Sequence, residues 1–158
     1  YVPLSDVEAA TIDGRLDEGY ALRRDDMLTV RSNGSKHLVG RCMLVPEVDE
    51  TTSYSGFIIR IRFDATHMYP KFLLHFMKCQ TTRDTLTKGG GGANITNINQ
   101  VKLSALLVPV PPHIDQVRIS TTLDELHEDT QRLATIYKRK LAALDDLKKS
   151  LLHQAFSG

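Results

Sequence analysis

The sequence predicts an α+β protein: a small mixed-sheet domain with short helices, followed by one long C-terminal helix of coiled-coil type. Three patterns carry that expectation. Residues 57–63 alternate with period two, residues 70–77 form one apolar stripe behind a proline, and residues 114–156 contain neither Pro nor Gly. Period two belongs to a half-buried strand, and spacings of three and four residues belong to a helix.

Along the chain, Pro3 and Asp13-Gly14 mark turns, and Met27-Leu28-Thr29-Val30 reads as a short buried strand. Arg31 to Lys36 follows with Asn33-Gly34 at its centre, a pair that tolerates positive φ and predicts a tight turn or hairpin loop. The next strand is expected from Leu38 to Val45, ended by Pro46, with a polar loop over residues 47–53. In the third strand Phe57, Ile59, Ile61 and Phe63 share one face, and Ile58, Arg60 and Arg62 share the other.

Pro70 suits a first helical turn, where its missing N–H is unpaired in any residue. Phe72, Leu73, Phe76 and Met77 then form the buried stripe, and Thr81 to Leu86 continue or fray the helix. Gly89 to Gly92 stop regular structure and read as a flexible loop or a close backbone approach. A short helical turn is expected within residues 94–103. An edge strand interrupted by Pro109 is expected over 106–110, and Pro111-Pro112 closes the globular part. The expected division is therefore 1–112 and 113–158.

From about Ile114 onward, helix formers dominate. With Leu123 at heptad position a, the seam residues are Leu123, Leu126, Leu133, Tyr137, Leu144, Leu147 and Leu151, interrupted by Thr130, Lys140 and Gln154. A helix of this length, roughly 60 Å at ~1.5 Å per residue, exceeds the roughly 30–35 Å of the domain before it. Its seam is expected to need a partner: a second copy of the chain, another part of a longer polypeptide, or another protein. The alternative is that it folds back over its own domain.

Composition narrows the function classes. Of 158 residues, 41% are apolar and 25% charged, with a net charge of +1, so any basic patch must be local. No apolar run approaches the ~18 residues of a membrane span. Cys42 and Cys79 form no CxxC and read as two reduced, mostly buried thiols of a cytoplasmic protein. His37, His67, His75, His113, His127 and His153 are scattered, and no HExxH, GxSxG or zinc-deaminase pattern appears. Nothing here suggests catalysis or a metal site. The chain begins at Tyr1 within sequence that reads as structured, which suggests a fragment or a processed form.

Nucleic-acid recognition needs donors for base edges and cations for phosphates. Arg31, Asn33, Ser35 and Lys36 are the first candidates, because Arg suits guanine, Asn suits adenine, and Ser and Lys suit phosphate. Lys88, Gly90 and Asn94 are the second group, with glycines that let backbone N–H groups approach phosphate. Arg60 and Arg62 are the third. Each has a plainer reading: a solvated hairpin, a flexible connector, the wet face of a strand. The glycines lack the frame of a nucleotide-binding loop.

Several stretches together resemble one family. They are Asp26 to Ser32, Pro70-Lys71-Phe72-Leu73-Leu74, the Gly-rich turn with Ile95 to Leu103, and Leu107-Val108-Pro109-Val110-Pro111-Pro112. Gln116, Ile119, Leu123 and Leu126 belong with them, as does Lys138 to Gly158 almost throughout. The pattern over most of residues 20–158 is similar to the DNA-specificity subunits of type I restriction–modification systems. Asp25 stands where the family often has Gly, and Asp115 where it often has Glu. The family's subunits usually hold two target-recognition domains and two spacer helices; this chain has one helix and less than a full domain.

The resemblance implies that the domain reads half of a split site in double-stranded DNA. It implies that the helix sets half-site spacing and docks methyltransferase (M) subunits, alongside restriction (R) subunits. S-adenosylmethionine and ATP would then belong to those partners, with no cofactor in this chain. The competing reading is a coiled-coil adaptor that binds protein and no DNA.

Overall fold

The computed structural model describes residues 1–3, 14–35, 37–48, 51–87, 97–98 and 100–156. Its elements are β1 (Met27–Val30), β2 (Cys42–Leu44), β3 (Ile58–Ile61), α1 (Pro70–Lys78), α2 (Gln80–Thr87), α3 (Gln100–Ser104) and α4 (His113–Phe156). The chain divides into two compact units, Tyr1–Arg118 and Ile119–Gly158.

The first unit is built on a sheet of order β2-β1-β3. Met27 pairs with both Leu44 and Ile61, and both neighbours run antiparallel to β1. The described sheet is thus antiparallel throughout, where the sequence suggested a mixed one. β1 alternates buried and half-buried residues, so Met27 and Thr29 face the core. Two hydrogen bonds extend the β1–β2 ladder, Asp25 N to the Val45 carbonyl and Val45 N to the Asp26 carbonyl.

The expected strand from Leu38 is shorter than its apolar run. Residues 37–40 form a turn, and β2 itself starts only at Cys42, although Gly40 and Arg41 already bond to Val30. Gly40 explains this: it is buried with φ +79, and an added Cβ would lie 3.3 Å from the Ile98 side chain. Only glycine takes that conformation freely. The predicted edge strand at 106–110 does not form. Leu106 N bonds back to the Leu103 carbonyl, and Pro109, Pro111 and Pro112 supply no ladder donors.

Pro70 stands in the first turn of α1, whose apolar side buries Phe72, Leu73, Leu74 and Met77 against β2 and its neighbours. Each such side chain contributes roughly 1.5–3 kcal/mol on burial. Cys79, with ψ 138, breaks the helix before α2 begins. Met27, Val39, Leu44, Ile59, Met68, Leu86 and Ile98 complete the core with these α1 residues.

Gln116, in the first turns of α4, is fully buried. Its side chain accepts from Tyr69 N at 2.7 Å and donates to the His67 carbonyl at 2.9 Å and the Pro111 carbonyl at 2.8 Å. One amide thus satisfies three backbone groups and ties the approach to α1 to the start of α4.

Among the described residues, the second unit is helix alone. α4 has 44 residues, about 66 Å at 1.5 Å each. None of its seam residues is buried: Leu123 is 39% exposed and Leu144 62%. Asp145 and Lys149 pair at 2.6 Å across one turn, an arrangement typical of a solvated face. No described helix is long and apolar enough to cross a membrane.

Candidate nucleic-acid interface

Most of the candidate residues of the sequence lie on the β1–β2 connection or on β3 and its end. Arg31 follows the last residue of β1. Its N–H donates to the Phe57 carbonyl at 2.8 Å, and its carbonyl accepts from Ile98 N at 2.9 Å. An isolated bridge between Ser32 and Asn97 adds to this anchorage. The backbone of Arg31 is therefore fixed on both sides, while its guanidinium makes no hydrogen bond or ion pair among the described residues.

Asn33 and Ser35 shape the loop. Asn33 Oδ1 accepts from Ser35 N at 2.9 Å, and Ser35 Oγ lies 2.7 Å from His37 Nε2. The first bond is an Asx turn, which occupies one lone pair of the oxygen that a two-point contact to adenine would use. Arg83 of α2 holds the far end of the loop, donating to the His37 and Val39 carbonyls at 2.9 and 3.3 Å. Lys36, Lys88, Gly90 and Asn94 lie outside the described residues.

The two arginines of the third strand region turn inward. Arg62 meets the buried Asp26 carboxylate through two bonds, Nε at 2.7 Å and a terminal nitrogen at 2.6 Å. Asp26 also accepts from Arg23 N, and that hydrogen-bonded carboxylate pushes the Arg62 guanidinium further above its ordinary value. Arg60 donates to the Gly19 and Ala21 carbonyls at 2.7 and 3.2 Å and stacks 5.6 Å above the Tyr54 ring. Both cations hold the segment around residues 19–21 against β3. Arg60 is half-buried there, while Arg62 stays about a third exposed, in keeping with the wet face of a strand.

Arg31 and Arg60 do meet at one place. A cleft of about 520 Å³ is lined by Tyr20, Arg31, Tyr54, Ser55, Arg60 and Gln100 together with apolar residues, and among the described residues no Asp or Glu lines it. Tyr20 and Tyr54 form a tilted ring pair with centroids 6.3 Å apart. Sequence reasoning did not select Tyr20, Tyr54, Ser55 or Gln100. They are polar or aromatic residues in loops and at a helix start, and only the fold brings them together.

The remaining titratable groups form no comparable site. Asp64 is held down to about 2 by hydrogen bonds from Thr66 and His67, yet all three are exposed. Burial pushes the Cys42 thiol up, and both cysteines are free. Among the described residues, no three His, Cys, Asp or Glu side chains gather as a metal site would require.

No protein-family model matches the chain. Curated proteins do. The chain is 26% identical over 148 residues to the type I restriction enzyme StySPI specificity subunit of Salmonella potsdam. It is 24% identical over 141 residues to the type I restriction enzyme EcoKI specificity subunit of Escherichia coli K12. The chain is thus similar to two type I restriction enzyme specificity subunits. The similarity covers 93% and 89% of the chain, so it includes both compact units. The chain spans about a third of the length of these specificity subunits, 32% and 30%.

Two features noted from the resemblance now have structural meaning. Asp25, where the family often has Gly, adopts φ 65, the left-handed region that favours glycine. Gln116, one of the residues that carried the resemblance, is the buried amide that binds three backbone groups.

Proposed function

We propose that this chain is a DNA-recognition module of a type I restriction–modification system and is not itself an enzyme. The observation that carries this reading is the similarity to specificity subunits along nine-tenths of the chain. A cleft on the globular unit whose described lining includes Arg31 and Arg60 and no carboxylate supports it as well. In this reading the β1–β2 connection, with Arg31, Asn33, Ser35 and Lys36, presents donors to double-stranded DNA. Lys88, Gly90 and Asn94 are a second set of contacts. Arg62 acts from behind, as a builder of the surface, and Arg60 both braces that surface and lines the cleft.

The exposed seam of α4 supports the rest of the proposal. Leu123, Leu126, Leu133, Tyr137, Leu144, Leu147 and Leu151 form a face that pairs with another helix, sets the spacing between half-sites, and docks methyltransferase subunits. The seam also suits a second copy of this chain. S-adenosylmethionine and ATP belong to the M and R partners, and the working place of the assembly is the cytoplasm.

A salt titration tests the reading. The full protein, assembled with its methyltransferase partner, should bind a selected duplex with an affinity that falls linearly in log–log form as salt rises. Duplexes outside the selected sequence should bind at least about a thousandfold more weakly. An adaptor without DNA binding would give no salt-dependent complex at all.

A further inference from the structure

The shape of the cleft says which part of DNA it takes. Residues that read base edges must enter the major groove, so they protrude. A concave site does the opposite: it receives what protrudes from the duplex, which is the sugar–phosphate ridge. The lining agrees. Phosphate oxygens are bound by Arg, by Ser, Gln and Tyr side chains and by backbone N–H groups. Arg31, Arg60, Ser55, Gln100, Tyr20 and Tyr54 supply such groups beside the apolar Ile58, Ile59 and Val101, with no carboxylate among the described lining residues.

We propose that this cleft seats a backbone phosphate of the DNA, and that Arg31 is its principal ligand rather than a reader of guanine. The inference rests on the DNA-recognition reading above and deepens it. Arg31 is the suitable group because its guanidinium has no partner among the described residues while its backbone is fixed by Phe57 and Ile98. A fixed stem reduces the ordering cost of the contact. Arg60 adds a second positive charge already held in place by two carbonyls and the Tyr54 ring. A phosphate contact fixes the position of the protein on the duplex and carries no sequence information directly.

The experiment compares Arg31→Ala, Arg31→Lys and Gln100→Glu in the full protein assembled with its methyltransferase partner. Binding is measured for a selected duplex and a scrambled one from about 50 to about 200 mM salt. Arg31→Ala should weaken both duplexes by about tenfold and reduce the magnitude of the log–log salt slope by about 0.9, the loss of one phosphate contact. Arg31→Lys, which keeps the charge, should restore the slope. Gln100→Glu, which places a carboxylate in the cleft, should weaken both duplexes alike.

An unchanged slope with lost preference at one base pair, not rescued by Lys, would overturn the assignment and leave the DNA reading standing. So would unaltered binding by Arg31→Ala and Gln100→Glu. If the unmodified protein formed no salt-dependent complex with either duplex, the DNA reading would fail and the phosphate seat with it.

Discussion

The two units of this chain solve the problem of burying apolar surface in opposite ways. In Tyr1–Arg118, Met27, Leu44, Met77, Leu86 and Ile98 are almost completely covered by residues of the same unit. In Ile119–Gly158, a leucine seam of similar hydrophobicity stays exposed from Leu123 to Leu151. The first unit carries its own stabilising contacts. The second has the covalent pattern of a stable helix but little of the tertiary packing on which most helix stability depends. One unit buries its apolar residues within itself; the other leaves its seam exposed.

Substitutions can break or sharpen that contrast, and the largest effect belongs to the first unit. Met77→Ala should cost about 2–5 kcal/mol in a urea titration, because it leaves a cavity in a packed core. Leu144→Ala in the second unit should change the unfolding of the globular unit by less than about 0.5 kcal/mol. Equal costs at the two positions would erase the distinction.

Next is Arg62→Met, which leaves the buried Asp26 carboxylate without its cation. The expected loss is about 2–4 kcal/mol, read from the midpoint of chemical unfolding and set below the full cost of a deeply buried pair because Arg62 is a third exposed. The Leu144→Asp, Leu151→Asp pair should act on association instead. Light scattering should show loss of pairing or of partner docking, with the near-UV spectrum of the globular unit retained. A mass unchanged by the double substitution, at concentrations where the parent associates, would remove the seam from the interface. The smallest effect is Asp25→Gly. It should stabilise the fold by a few tenths to about 1 kcal/mol, because glycine adopts the left-handed conformation without a Cβ penalty. Loss of the Tyr1 hydroxyl contact to Asp25 offsets part of the gain.

How much of this was legible in the sequence depended on how local the cause was. β1, β3, α1 and α4 follow from periodicity and from Pro70, so their positions could be read directly. The start of β2 could not, because Gly40 turns the chain to avoid Ile98, a residue 58 positions away. The missing strand at 106–110 has the composition of a strand, but a strand is a pairing and no described partner meets it. The inward turn of Arg60 and Arg62 was hidden for the same reason. Their carbonyl and carboxylate acceptors lie in residues 19–26, 36 or more positions earlier. Arg31 was visible as a cation beside a turn. The concavity around it, with Tyr20, Tyr54 and Gln100, exists only once the chain has folded.

The bonds from Arg60 and Arg62 to the carbonyls of Gly19 and Ala21 have a practical consequence. Guanidinium groups keep their charge throughout the working pH range, and contacts this short are weakly screened by ions. A rise in ionic strength therefore leaves these internal contacts, and the Tyr20 side of the cleft that they brace, largely unchanged.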